Sequence, residues 1–160
     1  GEPGSGVDFL LMHRAMFHLL HREFPQHSHL LRGWSTPPID PADIDDVVPL
    51  GTAFEREKSV GITILESLSN TEFPSEDHWA MFLESNIRPL DNDPTNRSID
   101  LRLGLHNYLH NRWSEPTSSI NLGNPAVNIF NQRFWRLHGW IDFLWWRFRE
   151  SRQLSDSEPE

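Results

Sequence analysis

Two aromatic-rich stretches separated by a proline-broken loop constrain this chain more than any other feature. The first is Leu105-His106-Asn107-Tyr108-Leu109-His110, and the second runs from Phe134-Trp135-Arg136-Leu137-His138 through Gly139-Trp140-Ile141-Asp142. Both carry apolar residues at helical spacing, and Pro116 and Pro125 interrupt the chain between them. His106 and His110 are four residues apart, so on a helix they share one face and their imidazoles can converge. His138, on the second helix, could complete a three-histidine site in the seam between the two. Three neutral imidazoles with room for an exogenous ligand suit copper, zinc or iron.

The 160 residues make one domain's worth of chain, enough to bury a core, and seven Trp with ten Phe supply large buried areas. The chain has no cysteine, so it has no disulfides and any metal must be held by His, Asp or Glu. A formal charge of −9 argues against nucleic acid or an anionic membrane as partner. No apolar run approaches the ~18 residues needed to span a bilayer. The opening Gly-Glu-Pro-Gly-Ser-Gly lacks an initiator Met, so an N-terminus set by processing or by the design of the expressed chain is expected.

Periodicity and breakers predict a mainly α fold, a bundle of about four helices with long proline-rich loops. Asp8 is expected to cap a helix running to about Phe24 and stopped by Pro25, dense enough in apolar residues to be buried on more than one side. Residues 25–53 read as a long loop with an acidic run from Asp40 to Asp46. A helix from Phe54 to Leu68 is weakened by Gly61 and by β-branched neighbours. Ser75 caps a short helix, Glu76 to Ser85, with an acidic outward face. Ser98 caps another to Trp113, buried through Leu101, Leu105 and Leu109. The last helix runs from Gln132 to Arg149 with Phe134, Leu137, Ile141 and Trp145 on its core face. Residues 1–150 form a single helical domain, and 151–160 a disordered acidic tail.

A lone His-x-x-x-His is weak: with nine histidines, chance alone gives roughly 0.5 such pairs per chain. The signal sharpens when His106-Asn107-x-x-His110 is read with Phe134-Trp135-x-x-His138-x-x-x-Asp142. Together they resemble the second copper site of type 3 copper proteins, the tyrosinases, catechol oxidases and hemocyanins. Phe9-Leu10-x-Met12-His13-Arg14 is similar to the segment that carries the third histidine of that family's first site. The resemblance implies a tyrosinase- or hemocyanin-like core binding one or two copper ions. His106, His110 and His138 would be ligands of one copper and His13 one ligand of the other, with dioxygen bound between the metals. Asp142 would support a ligand from behind or anchor its helix without touching the metal, and Asn107 would be a catalytic residue helping to hold the water that accepts a phenol proton.

The chain departs from the family in three places. Met12 stands where Trp is usual. Arg97 stands where the carboxylate that partners the Asn is expected. The two further first-site histidines would lie upstream of Phe9, where only eight residues remain. His13 and His18 diverge on a helix, and His13 and His21 lie ~12 Å apart along it. His18 and His21 with His27 or His29 could form a separate exposed site or a solvated histidine-rich surface. His78 reads as a surface residue.

Three readings follow. A copper-dependent oxidoreductase would oxidise phenols or catechols with dioxygen, in a pocket walled by Trp135, Trp140 and Phe130, its first site completed by a second copy, a partner chain or an upstream segment. Alternatively the chain binds copper, with or without dioxygen, and does not turn over, or holds a mononuclear three-histidine centre. In the third reading the fold persists without metal and the histidines merely pack.

Overall fold

The computed structural model describes residues 3–37, 61–67, 73–85, 104–112, 114 and 117–154. Among these residues the backbone is mainly helical, with no strand. In chain order come α1 (Ser5–Glu23), a 3-10 segment (Pro25–Leu31), α2 (61–66), α3 (Glu76–Ser85), α4 (Leu105–Arg112), a 3-10 turn (Asn128–Phe130) and α5 (Gln132–Ser151).

α1 begins earlier than expected and is capped from elsewhere. Asp8 is already inside the helix, its amide bonded to the Gly4 carbonyl at 3.0 Å. The open amides at the start are met by Asp77 of α3, whose carboxylate accepts from Gly4 (3.0 Å), Gly6 (2.9 Å) and Val7 (3.3 Å). Negative charge at a helix N-terminus also suits the macrodipole. Gly4 is left-handed at φ 88°, a conformation that glycine adopts without steric penalty. Gly6 lets the helices touch: a Cβ there would lie 2.8 Å from that of Ala80. The helix ends at Glu23, before Pro25, as expected.

Burial on α1 is one-sided. Gly6, Leu10, His13 and Phe17 are buried at spacings of four, three and four. Leu11, Met12 and Leu19 are each about half exposed, so the expectation of burial on several sides is corrected. α1 packs on α3, the 3-10 segment and α5, and its Phe9 and His13 reach His106 of α4.

Beyond the 3-10 segment the chain crosses α5 in direct backbone contact. The Trp34 amide donates to the Arg136 carbonyl at 2.9 Å. A Cβ on Gly139 would lie 2.7 Å from Gly33 Cα and 2.8 Å from Gly33 N. Two glycines at one crossing are required for that approach.

The Ser75 hydroxyl accepts from the His78 amide at 3.3 Å, capping α3 as expected. The acidic face of α3, however, does not point outward as a whole. Glu76 is fully buried, accepting from Trp145 Nε1 at 2.6 Å and paired with Arg149 of α5. α4 starts after Gly104, whose carbonyl accepts from Tyr108 N at 2.9 Å, and buries Leu105 and Leu109. α5 is capped by the Asn131 side chain, which accepts from the Arg133 amide at 2.9 Å. It buries Phe134, Leu137, Ile141 and Trp145 as expected, and Trp140, Leu144 and Phe148 as well.

The core gathers Trp79, Trp140, Trp145, Tyr108 and Phe73 with leucines from each of α1 to α5, and Ile62 of α2. Fully burying one such side chain contributes about 1.5–3 kcal/mol. Residues 151–154, expected in a tail, are folded instead. Ser151 closes α5, the Leu154 amide returns to the Arg149 carbonyl at 3.0 Å, and Arg152 reaches the Phe73 and Pro74 carbonyls. The remainder of the expected tail, the loop from 38 to 53, the outer parts of the helix expected over 54–68, Ser98, Leu101 and Trp113 lie outside the described residues. No described helix is long and apolar enough to cross a membrane.

Candidate metal centre

Four histidines from three helices meet between α1, α4 and α5. His13 comes from the buried face of α1, His106 and His110 from one face of α4, and His138 from the inner face of α5. His138 is the hub and is only 1% exposed. Its Nε2 lies 3.0 Å from His106 Nε2 and 3.5 Å from His110 Nε2. One ligand nitrogen each from His13, His106 and His138 falls within 4.8 Å of the others, a buried three-histidine group able to hold a metal ion.

Backbone carbonyls fix which ring nitrogen is free. His13 Nδ1 lies 2.8 Å from the Phe9 carbonyl, His110 Nδ1 2.9 Å from Leu122, and His138 Nδ1 2.7 Å from Phe134. A carbonyl only accepts, so each Nδ1 carries the proton. A neutral imidazole protonated there presents a bare lone pair at Nε2. In His110 and His138 these lone pairs face each other, a repulsive arrangement that a cation between them would turn attractive.

The rings are held neutral. Burial pushes His106 well below its ordinary value, and its three histidine neighbours add to the effect. Burial likewise takes His138 well down, joined by His13 and His110, against the Phe134 carbonyl. His13 and His110 are lowered by burial as well, opposed by their carbonyl bonds. Neutral imidazole is the form that binds metal.

Ring planes separate the four into three and one. His106, His110 and His138 are mutually inclined by 66° to 76°. Two imidazole nitrogens on one tetrahedral ion at 2.0–2.1 Å lie about 3.3 Å apart, and the Nε2 separations of His138 from His106 and from His110, 3.0 and 3.5 Å, are each close to that spacing. His13 instead stacks on His138, centroids 4.2 Å apart and planes within 9°. Imidazoles coordinate in their own plane, and near-parallel planes do not meet at one nearby point. His13 thus lies against the ring face of His138, while its ligand nitrogen stays close enough to those of His106 and His138 to belong to the group of three described above.

The surroundings are aromatic and latched. Phe9 lies 4.4 Å from the His13 ring and 4.7 Å from His106, while Phe134 covers His138 at 4.0 Å. Arg14, next to His13, donates to Asp142, one turn past His138, at 2.6 Å and lies 3.9 Å over the Trp145 ring. Asp142 therefore ties α5 to α1.

Other expected residues lie apart. Asn107 is on the exposed side of α4. Trp140 is fully buried, donating to Glu66 at 3.2 Å, and is core rather than pocket wall. Trp135 is half-buried against Phe134 and Phe17, and Phe130 is 69% exposed. His18, His21, His27 and His29 are exposed, with His21 bonded to Ser28 Oγ at 3.0 Å, and no second metal-holding group occurs among the described residues. His78 is exposed at the start of α3.

The sequence reading missed Leu122, whose carbonyl orients His110, and Arg14 as partner of Asp142. The first left only the turn signal Asn121-x-Gly123 to find it by, and the second lay inside the segment that carries His13. No protein-family model, curated protein or solved structure matches this chain.

Proposed function

We propose that this chain is a copper protein with a tyrosinase- or hemocyanin-like core. In this reading His106, His110 and His138 hold one ion, and the protein oxidises phenols or catechols with dioxygen. The observation that carries the proposal is the meeting of His106 and His110 with His138 through Nε2 atoms 3.0 and 3.5 Å apart, with Nδ1 of His110 and His138 tied to carbonyls. Copper is favoured because the set is all imidazole, the chain has no thiolate, and copper(II) stands highest among first-row divalent ions at nitrogen sites. Bound there, copper supplies a redox centre with a position open to a small exogenous ligand.

The chain's own residues orient and exclude. Carbonyls of Leu122 and Phe134 aim two rings, Phe9 and Phe134 keep the cluster dry, and the Arg14–Asp142 pair holds α1 over it. The expected catalytic role of Asn107 is left out of this reading, because Asn107 is on the exposed side of α4 and the cluster lies between α1, α4 and α5. A second ion would need imidazoles beyond His13, from a second copy, a partner chain or an upstream segment.

A mononuclear, non-catalytic copper centre is the other reading. It is favoured by the stacked plane of His13 and by the single metal-holding group among the described residues. Copper per chain and colour development with a catechol separate the two. His110→Ala is expected to abolish copper binding, since it removes one of three ligands; full metal content in that variant would overturn the ligand assignment.

A further inference from the structure

We infer that Asn121 is a positioning residue for the metal ligand His110, acting through one peptide plane; this rests on the copper-centre reading. The peptide between Leu122 and Gly123 is held from both ends. Its carbonyl accepts from His110 Nδ1 at 2.9 Å, and its amide donates to Asn121 Oδ1 at 2.8 Å. In a trans peptide the C=O and N–H point in opposite directions, so anchoring one aims the other. No cis bond occurs among the described residues.

Asn121 is itself held in place. Its Oδ1 also accepts from the Ser114 hydroxyl at 2.8 Å, on the chain just beyond α4. The amide donor at Gly123 requires oxygen there, which fixes the orientation of the Asn side chain. Ser114, Asn121, the 122–123 peptide and His110 thus form one chain of hydrogen bonds, each polarising the next. It closes on the α4 histidine, whose lone pair points at His138. With the turn released, the Leu122 carbonyl is free to rotate away. His110 then loses both its fixed orientation and the reason its proton sits on Nδ1.

Residues that orient a ligand in this way typically alter metal affinity 10–100-fold. The test is a copper(II) titration of the metal-free full chain, followed by ligand-field absorption and electron paramagnetic resonance. Asn121→Ala is expected to weaken copper(II) binding about 10–100-fold and to change the resonance spectrum toward fewer nitrogen ligands. Asn121→Asp keeps an oxygen acceptor for Gly123 and Ser114, and should restore both. A purely structural role would lower the melting temperature of the metal-free chain while leaving affinity and spectrum as in the wild type, and that result overturns the inference. Failure of Asn121→Asp to restore binding also overturns it. Should Asn121→Ala not fold, Ser114→Ala loosens the same link from outside the turn. It should weaken copper(II) several-fold, and unchanged binding would refute the role. A wild-type chain that takes up no copper(II) defeats the copper reading itself and this inference with it. A wild type that binds while the Asn121 variants match it defeats this inference alone.

Discussion

His138 receives His106 and His110 at its Nε2, His13 on its ring face and a carbonyl at its Nδ1. Crowding four imidazoles out of water sets how the metal-free chain responds to acid. In the unfolded chain they take up protons near pH 6.5, while in the folded chain burial delays uptake to lower pH. Between those values the unfolded chain binds more protons, so stability is fully present above pH 6.5 and falls as pH drops below it. Each such histidine contributes a slope of up to about 1.4 kcal/mol per pH unit. Denaturant midpoints of the metal-free chain at pH 8, 6.5 and 5 check this: a steep fall below 6.5 is expected, and a flat profile would contradict the burial. The i, i+4 spacing made His106 and His110 legible, because a helix converts that spacing into a shared face. The carbonyls of Phe9, Leu122 and Phe134 were not legible, since every residue has one and only the fold decides where it points.

At the scale of elements, helix existence was readable and helix ends were not. α1, α3 and α5 follow the apolar period, but the cap of α1 lies more than seventy residues away at Asp77, beyond any local signal. Burial works to raise the Asp77 carboxyl, and the amides of Gly4, Val7 and Gly6 with His78 outweigh it and hold it below its ordinary value. Its neighbour Glu76 illustrates why charge alone misleads. In an acidic helix start it reads as solvated, yet it is buried under Trp145 and paired with Arg149. Glu76→Ala would strand a guanidinium in the core, and breaking one side of a buried pair costs about 3–5 kcal/mol. Chemical denaturation should show that loss, whereas a change under ~1 kcal/mol would mean the pair is screened by water. The latch between Arg14 and Asp142 was half visible: both residues sit in the two histidine-bearing segments, but their pairing needed α1 laid against α5.

For the molecule as a whole, the crossing of Gly33 over Gly139 fixes how the chain ahead of α2 lies on α5, one residue past His138. Two effects of opposite sign meet in Gly139→Ala. Alanine inside a helix gains about 0.5–1 kcal/mol over glycine from propensity. Here its Cβ would sit 2.7 Å from backbone atoms that cannot swing aside, and overpacking of this kind costs ~1–3 kcal/mol or more. Net destabilisation is expected, read as a lower melting temperature, and a stabilised variant would show that the crossing yields. The mainly helical class could be read from periodicity, whereas this crossing could not, because a glycine in a helix and a glycine in a loop give no sign that they will meet. The three inclined imidazoles have a consequence at the same scale. They sit on α4 and α5, 28 and 32 residues apart along the chain, and only the folded chain brings them together. An ion that fits them therefore selects the native state by mass action, adding about 2.7 kcal/mol at a hundredfold excess over its dissociation constant. Occupancy and foldedness would then rise and fall together, so scarcity of the ion would be felt by the fold as well as by the chemistry.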